Sequence, residues 1–228
     1  MRVSVVIPVL NEANGRLTEL LASARFADEI IVVDGGSTDG TLNLIHSVGL
    51  SPISSLKGRA VQMNAGAALA TGDVLLFVHA DVVLPFGWKE QLQQDAFAWG
   101  RFDVCFDRGT TTALADSALM ACIAWFMNWR SRLTSISTGD QCQFFDRLAF
   151  KSLGGFAAMP LMEDIEISRR ACNHLGPPLN LRLRVNVSPR RWRERGHFKT
   201  VLLMWRLRWQ YWRGVPVDRL YRAYYGHG

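Results

Sequence analysis

The sequence predicts an α/β fold, a Rossmann-like and mostly parallel sheet flanked by helices. Two continuous runs of β-branched residues, at 3–7 (VSVVI) and 30–33 (IIVV), are typical of strands buried on both faces of a parallel sheet. Between them, residues 15–26 carry apolar side chains at helical spacing. The strand-helix unit then repeats, which predicts a doubly wound sheet within about the first 80 residues.

The other elements follow from the same two periodicities. Along the chain we expect a helix over 38–48, a short strand at 52–56, a helix at 59–70, a buried strand at 74–78, a helix at 88–99, a strand at 101–106, a long helix within 112–133, an extended segment at 142–145, a helix at 163–173 and a strand near 181–187. A helical extension follows from about residue 191, and no repeat or low-complexity linker divides the chain before it.

The composition is that of an ordinary globular protein. Of the 228 residues, 49% are hydrophobic and 20% are charged, which excludes a disordered or collagen-like chain. The formal net charge of +6 is uneven, because residues 181–228 hold 12 Lys and Arg against 2 Asp and Glu, a net +10, and the residues before them carry a net −4. The excess charge therefore indicates an anionic partner for the C-terminal segment more than for the sheet.

Cysteine usage and the absence of targeting segments indicate a cytoplasmic protein. The four cysteines form no CxxC pair and show no zinc-site spacing. The N-terminus lacks the apolar stretch and the cleavage site of a signal peptide, and the longest apolar stretch, 117–127, is well short of the ~20 residues that a spanning helix needs. We expect no membrane-spanning helix.

Polar residues follow the predicted strands, where a doubly wound sheet binds its ligands. Asn11 and Glu12 come after the first strand, and the segment DGGSTDGT at 34–41 comes after the second. The carboxylate of Asp34, the glycines and the free amides of the next helix suit a ribose, a base or a phosphate. The alternative is a tight turn whose hydroxyls and carboxylates only cap that helix.

Two further groups of residues could carry chemistry. His79 and Asp81 end the fourth strand and point the same way, so their imidazole and carboxylate suit Mg²⁺ or Mn²⁺ bound to a diphosphate; the alternative is that Asp81 caps a helix. Glu163, Asp164 and Glu166 open a helix after an irregular glycine-containing loop. They either complement the helix dipole or include a general base that faces a cleft.

The C-terminal segment predicts a basic amphipathic helix. Its apolar face is formed by Phe198, Leu202, Trp205, Trp209 and Trp212, and a polar face by Arg195, Lys199, Arg206, Gln210 and Arg213. Such a helix either lies in a membrane interface, with its tryptophans at headgroup depth, or caps the core of the domain. Because no recognition module accompanies the aromatic and basic residues, we expect no nucleic-acid partner.

Five segments resemble, in order and spacing, the motifs of glycosyltransferase family 2, namely SVVIPVLNEA, EIIVVDGGSTDGT, GRAVQMNAGAALATGDVLLFVHADVVLP, TGDQCQFFDRLAFKSLGGF and MEDIEISRR. The resemblance covers roughly residues 3–175. The HAD triplet and the RRWRERG segment before the last helix look most like the bacterial branch of arsenosugar-biosynthesis-type glycosyltransferases.

The resemblance implies a GT-A fold and inversion at the anomeric carbon. The implied donor is a nucleotide-diphospho-sugar of UDP type, the cofactor is Mg²⁺ or Mn²⁺, and the acceptor is a small or lipid-linked molecule. Because no repeat or low-complexity linker divides the chain, we expect a single domain at 1–190, with a nucleotide-binding half at 1–110 and an acceptor half at 111–190, followed by the extension at 191–228.

The resemblance further implies roles for residues on the donor side. Pro8 and Glu12 would line the nucleoside pocket, and Asp34 and Arg59 would contact the base or the ribose. Asp81 would be the metal-binding end of the family's DxD motif, with His79 next to it on the nucleotide-sugar.

On the other side of the reacting sugar, Asp164 stands in the family's Glu-Asp position and would be the catalytic base. Contacts with the substrate or acceptor are expected from Asp140, Gln141, Glu163 and Arg191. Two departures from the family pattern are Gly35 where an Asp is frequent and His79 in place of the first Asp of DxD. Because imidazole is a softer ligand and is often neutral near pH 7, the second departure weakens the expected metal affinity.

Two other functions stay open at this point. A noncatalytic module of this fold would dock to a membrane or a partner through its basic tail, and the replaced metal ligand favours that alternative. A sugar nucleotidyltransferase uses a similar sheet but has a basic, glycine-rich loop after the first strand, where this chain has Asn11-Glu12-Ala13-Asn14. We expect a cytoplasmic glycosyltransferase, with peripheral contact to the inner face of the cell membrane through residues 195–213 as an open alternative.

Overall fold

A computed structural model describes residues 1–107 and 114–226, except for the side chains of residues 114, 115, 191 and 195. Within these residues, the strands are β1 (Val3–Val9), β2 (Glu29–Asp34), β3 (Ile53–Ser54), β4 (Val74–Phe77), β5 (Val82–Val83), β6 (Trp99–Phe106), β7 (Phe144–Asp146) and β8 (Leu179–Val187). The helices are α1 (Leu17–Ala24), α2 (Thr41–Ser47), α3 (Arg59–Leu69), α4 (Trp88–Leu92), α5 (Leu114–Thr134), α6 (Arg147–Ser152), α7 (Glu163–Leu175), α8 (Arg190–Arg195), α9 (His197–Trp212) and α10 (Val217–Tyr225). A short 3₁₀ turn, Gly139–Gln141, precedes β7.

The strands form one mixed sheet in the order β3-β2-β1-β4-β7-β6-β8-β5. The first four strands pair in parallel, as the two β-branched runs predict, and this confirms the α/β class. β7 then pairs antiparallel with both β4 and β6, so the second half of the sheet departs from the doubly wound pattern.

The predicted helix at 88–99 is wrong over its second half. α4 ends at Leu92, and Trp99 begins β6. Trp99 is fully buried, aligns with Phe145 of β7 in the sheet and stacks on its ring at a centroid distance of 5.9 Å. Strand pairing therefore decides the conformation of this segment. The start of the predicted helix within 112–133 lies partly outside the described residues.

Two apolar layers cover the two faces of the sheet. One buries α1 and α5 against the central strands, and the other buries α3, α6 and α7. A third cluster joins the C-terminal helices to the start of α7 and is formed by Ile136, Leu161, Met162, Ile165, Leu207, Leu220 and Tyr224. The C-terminal extension therefore packs on the sheet domain.

The apolar face predicted for α9 is not the side that packs. Leu207 and Thr200 are buried, whereas the five predicted apolar residues, Phe198, Leu202, Trp205, Trp209 and Trp212, are 54–75% exposed. Together with the exposed Trp125 and Trp129 of α5 they form the aromatic surface. Phe126 and Trp205 stack at 5.7 Å and connect the two helices. Among the described residues, no helix combines the length and the apolar character needed to cross a membrane.

The pairing of β4 with β7 positions the site. Antiparallel strands bring the residues after one strand next to the residues before the other. The N–H of Phe77, the last residue of β4, donates to the carbonyl of Gln143 (2.9 Å). The segment after β4, which holds His79 and Asp81, therefore lies beside the 3₁₀ turn that precedes β7.

Candidate active site

The loops after β1 and β2 are tied together by hydrogen bonds. The N–H of Asn11 donates to Oγ of Ser37 (2.9 Å), and the N–H of Thr38 donates to Oδ1 of Asn11 (2.8 Å). The N–H of Glu12 donates to Oγ1 of Thr41 (2.7 Å). These bonds fix both loops, called the nucleotide loops below, at the carboxyl ends of neighbouring parallel strands, where the sequence predicts the nucleotide.

Asp34 holds the turn after β2. Its carboxylate is 4% exposed and accepts the N–H groups of Gly36 (2.9 Å) and Ser37 (3.1 Å). Asp34 therefore stabilises this turn, and a contact of Asp34 with the base or ribose stays a prediction. Pro8 is buried in β1 opposite Val33, beyond the last residue of β1 that pairs with β4, so its missing N–H breaks no ladder bond.

Three potential metal ligands converge next to these loops. One ligand atom from each of His79, Asp81 and Asp140 lies within 4.8 Å of the other two. His79 and Asp81 follow β4, and Asp140 comes from the 3₁₀ turn before β7. Two carboxylates and an imidazole form a donor set that fits a divalent cation such as Mn²⁺. The expected pair of ligands is thus extended by Asp140, which the sequence predicts as a substrate contact.

Gly139 lets the imidazole reach this position. A Cβ at residue 139 would overlap the ring of His79, so no larger residue fits between Thr138 and Asp140 without moving the imidazole. The N–H of Thr138 donates to Oε1 of Gln141 (3.2 Å), and the N–H of Gln141 donates to the carbonyl of Thr138 (2.8 Å). Gln141 is fully buried and supports the turn that carries Asp140.

Asp164 lies on the other side of Gly139. Its Oδ2 accepts the N–H of Gly139 (2.8 Å), and its Oδ1 accepts the N–H of Ile165 (2.8 Å). The side chains of Gln143 and Ser168 donate to its carbonyl, at 3.0 and 2.7 Å. The predicted base is therefore held by several hydrogen bonds, and Gly139, which donates to it, is the neighbour of Asp140, one of the three potential metal ligands.

Glu163 and Arg59 form a largely buried ion pair behind Asp164. Nε of Arg59 lies 3.2 Å from Oε1 of Glu163, whose side chain is 1% exposed. Burial raises the pKa of Glu163, and the attraction of Arg59 limits the rise. Burial by itself lowers the pKa of Arg59, but the attractions of Glu163, Tyr225, Asp164 and Tyr224 together outweigh this effect, and the pKa lies above its usual value. The pair fixes the first turn of α7 against α3.

A cavity of about 360 Å³ connects these groups. Five of the predicted site residues line it, namely Arg59, His79, Asp81, Asp140 and Asp164. A second cavity of about 100 Å³ is lined by Glu12, Asn14, Gly15, Arg16, Asp81, Ser188 and Arg190. Asp81 lines both cavities and so stands between the nucleotide loops and the larger cavity. The side chain of Arg191, a predicted acceptor contact, lies outside the described residues.

Two arginines that the sequence did not single out also line the larger cavity. Arg130 comes from α5 and Arg208 from α9, and both face the cavity that holds Asp164. Neither belongs to a motif, and only the packing of α9 near α5 brings them to one site. Most of the remaining wall is apolar and comes from the same two helices, for example Ile123, Phe126, Val201 and Met204.

Comparison with known proteins identifies the family. The family model "Glycosyl transferase family 2" matches residues 4–148, which is more than half of the chain. An uncharacterized glycosyltransferase of Nostoc sp. (strain PCC 7120) is 34% identical over 99 residues, which are 39% of this chain and 30% of that protein. A pre-mycofactocin glycosyltransferase of Mycobacterium tuberculosis is 35% identical over 94 residues, which are 40% of this chain and 20% of the relative. The matches thus cover less than a third of either relative.

Solved structures show the same fold. TarS 1–349 of S. aureus in complex with UDP-GlcNAc has a TM-score of 0.61 at 18% identity, over 82% of this chain and 58% of that chain. Glucosyl-3-phosphoglycerate synthase of M. tuberculosis with Mn²⁺ and UDP-glucose has a TM-score of 0.56 at 20% identity, over 82% of this chain and 70% of that chain. These likenesses confirm the expected GT-A fold. Because the family model spans the nucleotide loops and the segment that holds His79, Asp81 and Asp140, the chain belongs to glycosyl transferase family 2.

Proposed function

We propose that this protein is an inverting glycosyltransferase that moves a sugar from a nucleotide-diphospho-sugar, of UDP type, to a small or lipid-linked acceptor. One observation carries the proposal. The cluster of His79, Asp81 and Asp140 and the carboxylate of Asp164 line one cavity and are linked through Gly139. A site for the diphosphate and a site for a base therefore lie side by side.

The reaction places two demands on the site. Displacing a nucleoside diphosphate from an anomeric carbon develops negative charge on the leaving group, and the acceptor hydroxyl must lose a proton. A divalent cation held by His79, Asp81 and Asp140 would stabilise the charge of the leaving diphosphate. Asp164 would accept the proton of the acceptor hydroxyl as its oxygen attacks the anomeric carbon from the face opposite the leaving group. Attack from that face inverts the configuration.

Asp140 answers the weakness that the sequence indicates. With His79 in place of an Asp, the DxD segment by itself provides one carboxylate, but Asp140 adds a second next to it. Hard divalent cations prefer oxygen ligands, so the second carboxylate supports retention of metal binding. This observation favours an enzyme over a noncatalytic module of the same fold.

The nucleotide is proposed to bind at the loops after β1 and β2, where Pro8, Glu12 and Asp34 lie. Arg59 faces the larger cavity and pairs with Glu163. Its proposed contact with the base or the ribose would therefore be made from the side of the larger cavity. The acceptor roles of Gln141, Glu163 and Arg191 stay predictions, as does the arsenosugar branch. Gln141 and Glu163 are buried and support the residues that line the cavity.

The aromatic surface is proposed to contact the interface of an anionic membrane. Its tryptophans suit headgroup depth, and exposed Lys199 and Arg213 flank them. Phe198 and Trp205 of this surface also line the larger cavity, which supports a lipid-linked acceptor that enters from the membrane side.

The test separates binding from turnover. Thermal shift with a panel of nucleotide-sugars and Mn²⁺ identifies the donor, because a ligand of the native state raises its stability. Release of the nucleoside diphosphate, with water as acceptor, then measures turnover. We expect Asp81→Ala to lose the Mn²⁺-dependent shift and Asp164→Asn to keep it while turnover falls by at least about 100-fold. Glu90→Gln, which changes an exposed carboxylate of α4, is the control that keeps both.

Other outcomes point to the rival functions. Full turnover by Asp164→Asn would remove the assignment of the base. Donor binding without any turnover by the wild type, together with membrane binding, would indicate the noncatalytic module. Pyrophosphate release from a nucleoside triphosphate and a sugar phosphate would indicate a nucleotidyltransferase.

A further inference from the structure

Two buried arginine nitrogens in the larger cavity have no partner. Nη2 of Arg130 and Nε of Arg208 are inaccessible to solvent and make no hydrogen bond within the described part of the chain. A buried N–H group without an acceptor is unfavourable, and more so on a charged side chain, which makes such groups rare in native proteins. Both side chains line the cavity that contains Asp164.

Two other arginines of the described residues do have a carboxylate partner. Arg101 is fully buried and lies 2.6 Å from Asp103, and Arg59 pairs with Glu163. Among the ion pairs of the described residues, Arg130 and Arg208 do not occur. Two partly buried cations thus line one cavity, and neither has a carboxylate in contact within the described residues.

The electrostatics agree with this geometry. Burial lowers the pKa of Arg130 to about 9, and the like charge of Arg208 adds to the effect. Burial also lowers the pKa of Arg208, and the more distant carboxylates of Asp164 and Asp140 act against it. A bound anion would remove the repulsion and provide the missing acceptors.

The walls around the pair indicate the kind of ligand that it suits. Asp81 divides the larger cavity from the small one, which is lined by Glu12 of the nucleotide loops. The pair lies in the larger cavity, where α5 and α9 form a mostly apolar wall that continues to the aromatic surface through Trp205. A ligand matched to both features carries an anionic group on an apolar body.

We infer that Arg130 and Arg208 bind the phosphate group of an amphiphilic acceptor and hold that acceptor beside Asp164. Guanidinium groups match phosphate oxygens in geometry and charge, and two of them provide several donors to one phosphate. The inference rests on the proposed function, because it takes Asp164 as the base that the acceptor must reach.

The experiment uses three probes on the full chain. Isothermal titration with decyl phosphate, decanol and inorganic phosphate, all below micellar concentration, separates the phosphate from the apolar body. We expect decyl phosphate to bind the wild type at least about 10-fold more tightly than either other probe. Arg130→Gln and Arg208→Gln should each reduce that affinity by at least about 10-fold, whereas Arg219→Gln, an exposed arginine of α10, should not change it.

Four results would overturn the inference. If decyl phosphate and decanol bind with equal affinity, the cavity has no site for the phosphate. If inorganic phosphate binds as tightly as decyl phosphate, the apolar body does not contribute to binding. If the double variant Arg130→Gln/Arg208→Gln binds decyl phosphate with wild-type affinity, these two residues do not form the phosphate site. Loss of Mn²⁺-dependent nucleotide-sugar binding in the double variant assigns the arginines to the donor. If the wild type binds no nucleotide-sugar, the proposed function fails, and the probe titrations still report whether the phosphate site exists.

Discussion

Nδ1 of His79 lies 3.7 Å from Oδ1 of Asp140, although the two residues are far apart in the sequence. The antiparallel pairing of β4 and β7 brings them together. With Asp81 they form a compact set of potential ligands, and we propose for Asp140 a role in metal binding that the sequence motif does not contain.

Asp140→Asn tests that role. Because the substitution removes a charged oxygen ligand, we expect the affinity for Mn²⁺, measured by isothermal titration, to fall by at least about 10-fold. Asp95→Asn, an exposed carboxylate after α4, is the control and should leave the affinity unchanged. An unchanged affinity in Asp140→Asn would restrict the metal site to His79 and Asp81.

Gly139→Ala tests the packing of the imidazole. The new Cβ would overlap the ring of His79, so the ring must move away from Asp140. We expect the affinity for Mn²⁺ to fall by at least about 10-fold, and the backbone donor to Asp164 to shift as well. Gly40→Ala is the matched control, since its Cβ would lie 3.6 Å from that of Ala13, an ordinary contact. An equal affinity of Gly139→Ala and Gly40→Ala for Mn²⁺ would contradict the prediction.

Arg59→Met tests the buried ion pair. It leaves the carboxylate of Glu163, which is 1% exposed, without its partner, and we expect the free energy of unfolding at pH 8 to fall by about 3 kcal/mol. Burial already raises the pKa of Glu163 in the folded protein above its ordinary value of 4.5. As the pH rises, the carboxyl of Glu163 therefore ionises in the unfolded chain before it ionises in the folded one. Stability contributed by this group is therefore present at low pH and lost as the pH rises through the raised pKa.

Urea denaturation at pH 8 and near pH 4.5 measures this effect. The difference between Arg59→Met and the wild type should shrink at the lower pH, because the raised pKa of Glu163 leaves a larger fraction of this carboxyl protonated there. The double variant Arg59→Met/Glu163→Gln should recover most of the loss at pH 8, because a neutral amide replaces the buried charge. A loss that is the same at both pH values would show that Arg59 stabilises the fold by packing alone.

Vesicle binding tests the aromatic surface. We expect the protein to co-sediment with vesicles that contain anionic lipid, less so at high salt. The double variant Trp205→Ser/Trp209→Ser should reduce the partition coefficient by at least about 10-fold, because each large apolar side chain contributes about 1.5–3 kcal/mol when buried. Leu148→Ser, which removes an exposed apolar residue of α6, is the control. Equal binding by all three proteins would exclude this surface.

Much of the fold could be predicted from local sequence. The β-branched runs at β1 and β2 can be satisfied only as buried strands, and the polar residues after them necessarily lie at the carboxyl edge of the sheet. This edge position, together with the motif residues, is sufficient to indicate the nucleotide loops, the pair His79 and Asp81, and Asp164 as a base. Helical spacing also indicates the aromatic and basic residues of α9, but not which side of that helix packs.

The tertiary structure decided the rest, because these features depend on contacts between distant segments. The predicted helix at 88–99 instead ends at Leu92, and Trp99 begins a strand that pairs with Phe145. Asp140 joins His79 only through the pairing of β4 with β7, and Arg130 meets Arg208 only because α9 lies near α5. Local periodicity indicates the type of each element, whereas the face that it buries and its partners are set by packing in the tertiary structure.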